Sequence, residues 1–433
     1  NLGITNGKIR SISAARLNGK NVIDARGLVV SPGFIDLHQH GQNEENFRLK
    51  AVDGVTTALE LEVGTGDVDR WYDERQGKSL LNYGVSVGHL AARMAAMKEP
   101  VTFLPTGEAA RRVATAAEIN EMKDRIEQGL RKGALAVGFG IQYTPQASHW
   151  EILELFRIAA TFNASCHVHM RHAGAKDPGG SIQALQEVIS AAAITGAPLH
   201  VVHIHSTGGP ATPKLLQIIS DASRQKLDIT TECYPYIAGM TDIKSAIFNE
   251  GWQEVFGIDY KDLQWAATGE RLTKETFEKY RKTGGMVAVF SMTEEIVREA
   301  LRYPLTIIAS DGILDNGKGH PRTAGTYSRV LGKYVREERV LTLMEALAKM
   351  TLMPAKRLER RVPAMNNKGR IRAGADADLA IFDAQTISDR ATFQEPAREA
   401  TGMRYVIVNG VVVVKDGKVQ TNVYPGGPIR APF

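Results

Sequence analysis

Eight short apolar runs rich in β-branched residues recur along this chain, most of them separated by stretches with helical spacing. They are Phe34 to His40, Thr56 to Val63, Tyr83 to Leu90, Ala134 to Gln142, Ala164 to Met170, Pro198 to Ser206, Asp228 to Tyr236 and Thr306 to Gly312. Successive strands joined through a helix pair in parallel, and eight such units close on themselves. The expected fold is therefore α/β, a (β/α)8 TIM-like barrel. Helical patterns at Thr115 to Lys132, Trp150 to Phe162, Ser181 to Ile194, Pro213 to Arg224 and Thr342 to Thr351 fit this alternation. The first opens on Thr115-Ala-Ala-Glu118, a capping-box match in which each side chain satisfies the other residue's backbone N–H. The segment from Phe248 to Tyr303 is too long for a strand-helix connection and carries helices of its own, so it reads as an excursion from the barrel.

The two ends of the chain read as β structure. Asn6-Gly7 is a tight-turn signal between alternating apolar residues, and Asn21 to Val30 is extended. After the last helix, Ala375 to Asp383 and Tyr405 to Lys418 read as strands, the latter folded at Asn409-Gly410. Residues 1–31 and 364–433 are thus expected to form one small β-sandwich, with the barrel on 32–363. A length of 433 residues suits one barrel plus one small domain.

Composition narrows the partners. A 43% hydrophobic and 23% charged chain with no long uninterrupted apolar run points away from a membrane span. The net charge of +5 is dispersed, without a basic block, so nucleic acid is not expected and a small molecule is. Assembly with further copies of the chain stays open. Cys166 and Cys233 fall on different expected strands with no C-x-x-C, which argues against a disulfide framework and fits a reducing, cytoplasmic setting. Because the chain opens at Asn1 within a β pattern, trimming of an upstream segment is expected as well, and any signal peptide would lie outside this sequence.

Chemistry is concentrated where strands end. Side chains two apart on a strand share a face, so His38 and His40 converge, and the same spacing recurs in His167-Val-His169, His203-Ile-His205 and Glu60-Leu-Glu62. Three pairs use six of the eleven histidines. In a parallel barrel the C-terminal strand ends share one rim, where these pairs meet Asp311, the carboxylate that closes Ile308-Ala-Ser-Asp. Imidazole and carboxylate donors of this kind suit one or two divalent ions, zinc or a similar metal. Such an ion would lower the pKa of a bound water toward ~7, and a nearby carboxylate could carry the proton to a leaving group.

Pro32-Gly-Phe-Ile-Asp-Leu-His-Gln-His40, Gly54-Val-Thr-Thr57, His169-Met-Arg171, Ser310-Asp-Gly312, the stretch from His320-Pro-Arg to Gly332 and Thr386-Ile-Ser-Asp-Arg-Ala-Thr-Phe393 resemble the D-aminoacylase branch of the amidohydrolase superfamily. The resemblance covers essentially the whole chain. It implies a zinc-dependent (β/α)8 barrel with a terminal β-sandwich, hydrolysing the amide of N-acyl-D-amino acids. It further implies His38, His40, His169, His203 and Asp311 as metal ligands, with Asp311 also the general acid/base. Arg322 matches the arginine that pairs with the substrate carboxylate, and Tyr143 matches a tyrosine of that pocket. Strand order alone favours His205 over His203 as the residue nearer the rim; the resemblance selects His203 and puts His205 where the branch commonly has a lysine near the substrate carboxylate. At strand two the branch's cysteine is missing, and Glu62 is the expected replacement, able to bridge two ions, with Glu60 a layer deeper. A dipeptidase or a cyclic-amide hydrolase of the same superfamily, or an inactive barrel scaffold, are the competing readings. The cyclic-amide enzymes generally carry a modified lysine on strand four, and Ala134 to Gln142 has none.

Overall fold

In the computed structural model, which describes residues 1–432, each of the eight runs contributes a strand to one parallel sheet. The strands are Phe34–Asp36, Val55–Thr65, Asn82–Gly88, Ala136–Gly140, Ser165–His169, Leu199–Val201, Ile229–Cys233 and Thr306–Ile308, each beside the next in chain order. The first and eighth close the ring through loop residues. Gln39 and Gly312 form a parallel bridge, the Asp311 N–H donates to the His38 carbonyl at 2.7 Å, and Ser310 donates from its backbone and hydroxyl to Asp36. The seam of the barrel thus lies beside His38 and Asp311.

Alternation along strands one and two sorts their side chains. Ile35, Leu37, Leu59 and Leu61 pack with Leu358, Val362 and Met365, while Asp36, His38, Glu60 and Glu62 take the opposite face. Both faces are buried, so the acidic residues of strand two need partners inside the barrel. The helix Ala116–Arg131 starts as expected, with Thr115 and Glu118 in a reciprocal capping box, and buries Ile119, Met122 and Ile126.

The excursion begins earlier than the sequence pattern suggests. Gly239–Asp242, Leu263–Trp265 and Met286–Val289 form an antiparallel sheet, packed by Phe248, Trp252 and Phe277 from its helical segments. Strands this short carry too few alternating positions to stand out in sequence.

At the termini, a five-stranded antiparallel sheet joins Val29–Pro32 to four strands between Leu379 and Val419, and the hairpin Leu2–Thr5/Lys8–Ile12 packs on it through Ile9, Leu379, Ile381 and Ile407. Asn6 and Gly7 turn the hairpin with φ of 51° and 72°, the left-handed conformation such a turn requires. Residues 427–431, read with the sandwich from sequence, instead return to the barrel: the Ile429 N–H donates to Tyr83 O and the Tyr72 hydroxyl donates to Ile429 O. Among the described residues no helix is long and apolar enough to cross a membrane.

Candidate active site

Four donors meet at the rim of the barrel seam. The Nε2 atoms of His38 and His40 lie 3.1 Å apart, and each is 3.2 Å from Glu62 Oε2. Asp311 Oδ1 completes the group, 3.5 Å from His38 Nε2 and 3.2 Å from His40 Nε2. Donors around a tetrahedral ion with bonds of ~2.0–2.1 Å stand about 3.3–3.4 Å apart, so these separations fit a zinc-sized ion without rearrangement. Asp311 reaches the group with φ of 52°, a strained conformation for a residue other than glycine.

The other oxygen of Glu62 faces a second group. Its Oε1 is 2.8 Å from His169 Nδ1 and 3.9 Å from His203 Nε2. Glu62 therefore presents one carboxylate oxygen to each group, the geometry of a bridging ligand.

The remaining ring nitrogens have partners that set the tautomers. The Nδ1–H of His38 donates to Glu232 at 2.5 Å, and that of His40 to Glu60 at 2.6 Å. Glu232 also accepts from His200 Nε2 at 2.9 Å, and Glu60 from the backbone N–H groups of Val63 and Gly64. His169 Nε2 meets the Gln142 amide oxygen at 2.6 Å, and His203 Nδ1 meets the Thr207 hydroxyl at 3.3 Å. Glu60 thus stands directly behind His40 and not a layer below it.

Electrostatics follow from these contacts. Burial, the largest effect, opposes protonation of His38, but the charges of Asp311 and Glu232 outweigh it and hold the imidazolium well above the usual range. For Glu62, burial is likewise outweighed, by hydrogen bonds from His169, His38 and His40, and its carboxyl stays ionised. Asp311 is lowered in the same way, with Arg322 and His38 overcoming the cost of burial. His203 goes the other way: burial, then the nearby His169, lowers it to about 3.

Arg322 sits at the start of the helix Arg322–Arg329, its Nη1 2.9 Å from Asp311 Oδ2 and its guanidinium 4.5 Å from the centre of the Tyr234 ring. Among the described residues its Nε finds no hydrogen-bond partner although the side chain is buried. The Arg322 N–H donates to His320 Nδ1, whose Nε2–H donates to Ala238 O, so His320 ties Arg322 to the excursion. Both Arg322 and Tyr143 line the cavity into which His40, Glu62, His169, His203 and Asp311 also open. Tyr143 stands edge-on to His169 and accepts from the Thr241 hydroxyl; burial and the Glu62 charge keep its phenol protonated.

The histidine pairs divide. His38 and His40 converge as expected, but His167 points a layer deeper, against Ser165 and the His200 ring. The pairing expected of His203 and His205 does not occur, because the strand stops at Val201 and the chain turns through His203 (φ 29°) into the helix Ile204–Gly208. His205 is consequently buried, edge-on to the Tyr234 ring and outside the cavity lining. Glu232 and Gln142 went unnoticed in the sequence. The only hint at Glu232 was an acidic residue in a buried strand run, Thr231-Glu-Cys233.

Residues 21–414 match the amidohydrolase family. The chain is 30% identical to a D-aminoacylase of Alcaligenes xylosoxydans xylosoxydans, over 90% of this chain and 85% of that one. It is 29% identical to an N-acyl-D-glutamate deacylase of the same organism, over 94% and 87%. Among solved structures, an N-acyl-D-glutamate deacylase from Bordetella bronchiseptica, complexed with zinc and a phosphonate mimic of the tetrahedral intermediate, superposes with a TM-score of 0.84 at 27% identity, covering 99% of this chain and 95% of the other.

Proposed function

Because the chain belongs to the amidohydrolase family, in its D-aminoacylase branch, we propose that it hydrolyses the amide of N-acyl-D-amino acids to a carboxylate and a free D-amino acid. The observation that carries this reading is the convergence of the His38, His40, Glu62 and Asp311 donors beside a buried arginine with an unused N–H. His38, His40, Glu62 and Asp311 would hold one ion, and Glu62, His169 and His203 a second; the zinc of the Bordetella relative supports that metal here. When bound, such an ion supplies Lewis acidity and lowers the pKa of water at the site.

The protein's own groups do the rest. Asp311 is held ionised, so it accepts the proton of the attacking water, and as the tetrahedral centre collapses it returns that proton to the leaving amine nitrogen. With Nη1 turned to Asp311, Arg322 offers the Nε and Nη2 edge of its guanidinium to the α-carboxylate, a bidentate match that fixes which end of the amide faces Asp311. Tyr143 keeps its proton and contributes a hydroxyl to the same pocket.

A panel of N-acetyl-D- and N-acetyl-L-amino acids, with elemental analysis of the protein, tests the reading; turnover confined to the L series or to cyclic amides would overturn it. Arg322→Ala should cost substrates with a free α-carboxylate ~2–5 kcal/mol in kcat/KM and spare their carboxamides. Equal losses for both would make Arg322 structural.

A further inference from the structure

Identities of 30% and 29% to deacylases of different D-amino acids do not say which side chain this enzyme takes. The cavity does. Phe103 and Leu104 form an apolar wall on the His40 side, with Phe103 edge-on to the His40 ring. Met240, Ile247, Phe256 and Met286, all from the excursion, form the other. Among the described residues, Arg322 is the only lysine or arginine that lines the cavity.

The cations nearest in the chain are committed elsewhere. Arg171, two residues beyond His169, makes a bidentate pair with Glu187 and donates to Pro145 O. In the excursion, Arg281 donates to the carbonyls of Ile243 and Ser245, and Lys244 is exposed. The lining histidines, His40, His169 and His203, belong to the donor groups.

We infer that the substrate carries a single negative charge: the α-carboxylate taken by Arg322, with apolar groups on both sides of the scissile amide. The inference rests on the reading of Arg322 and the donor groups given above. A second carboxylate, whether on the amino-acid side chain or on the acyl group, would leave water for a lining of Met, Ile and Phe side chains and neutral hydroxyls, with no cation to meet it. Desolvated charges without a partner are costly, whereas a neutral chain of the same length loses little by entering such a wall. Binding sites discriminate most strongly in this way, by leaving a charged or polar group unpaired.

The test compares kcat/KM of the metal-loaded enzyme on N-acetyl-D-leucine, N-acetyl-D-glutamine, N-acetyl-D-glutamate and N-succinyl-D-leucine. Glutamine and glutamate are nearly the same size, so their ratio isolates charge. The expected order is leucine above glutamine, with both dicarboxylates lower than N-acetyl-D-leucine by on the order of 10²–10³-fold. Turnover of N-acetyl-D-glutamate within about threefold of N-acetyl-D-glutamine, or of N-succinyl-D-leucine close to N-acetyl-D-leucine, would overturn the single-charge assignment while leaving the deacylase reading intact. Failure on every N-acyl-D-amino acid would instead remove the reading on which it rests. In Met240→Arg, a partly exposed position on the excursion wall, the ratio of a dicarboxylate to its neutral counterpart should rise at least about tenfold for one of the two pairs. An unchanged ratio for both pairs in folded variant protein would also count against the apolar walls as the basis of selection.

Discussion

The two donor groups share Glu62 yet are supported differently. Behind His38 and His40 stand carboxylates, Glu232 and Glu60; behind His169 and His203 stand an amide oxygen and a hydroxyl. A carboxylate behind a histidine raises the basicity of the ring's other nitrogen and fixes its tautomer more firmly than a neutral acceptor does. The first group also has four donors at near-tetrahedral spacing, whereas the second has three, one of them 3.9 Å from Glu62. The comparison teaches that the carboxylates outside the donor set, not the histidines alone, distinguish the two groups.

The largest effect should come from Asp311→Asn, which removes the proton acceptor and weakens the first group only. Turnover should fall ~10³–10⁴-fold, at the upper end for one residue serving two proton transfers. Activity above about a tenth of wild type on the best substrate would mean that the first group does not contain the acid/base.

Glu62→Ala should be next, since it takes a donor from both groups at once. Metal content and activity are expected to fall together, and stoichiometry by elemental analysis checks it. If only part of the bound metal is lost, Glu62 serves one group and the bridging geometry has misled.

Glu232→Gln and Glu60→Gln each keep the shape of a supporting side chain and remove its charge. Metal affinity, read by competition with a chelator, should weaken ~10–100-fold in each. Loss of stability with unchanged affinity would make both purely structural. The smallest change is expected from Thr207→Val, a few-fold at most, because a 3.3 Å contact to a neutral hydroxyl is all that is lost. An effect as large as that of Glu232→Gln would erase the distinction between the groups.

How much was legible in the sequence follows from the range over which each feature is determined. The eight strands were readable because fully buried parallel strands must be continuous apolar runs, and the capped helix at Thr115 because a capping box is local. His38, His40 and Asp311 could be placed at one rim because parallel strands end together. His205 could not, since whether a strand continues past Val201 depends on what its neighbours leave room for. Glu232 is 194 residues from the histidine it supports, and nothing local in Thr231-Glu-Cys233 announces that partner.

The amino-acid sequence by itself determined the barrel, the class of donor and the family pattern, because these depend on periodicity and residue type. It took the folded chain to show that Glu62 faces both groups, that Glu60 and Glu232 support the histidines, that His205 lies against Tyr234 and that, among the described residues, Arg322 is the one lysine or arginine lining the cavity. The physical reason is one of scale: a strand's pattern is set over two residues, but a carboxylate's role is set by which unlike group, from any part of the chain, stands within about 3 Å of it.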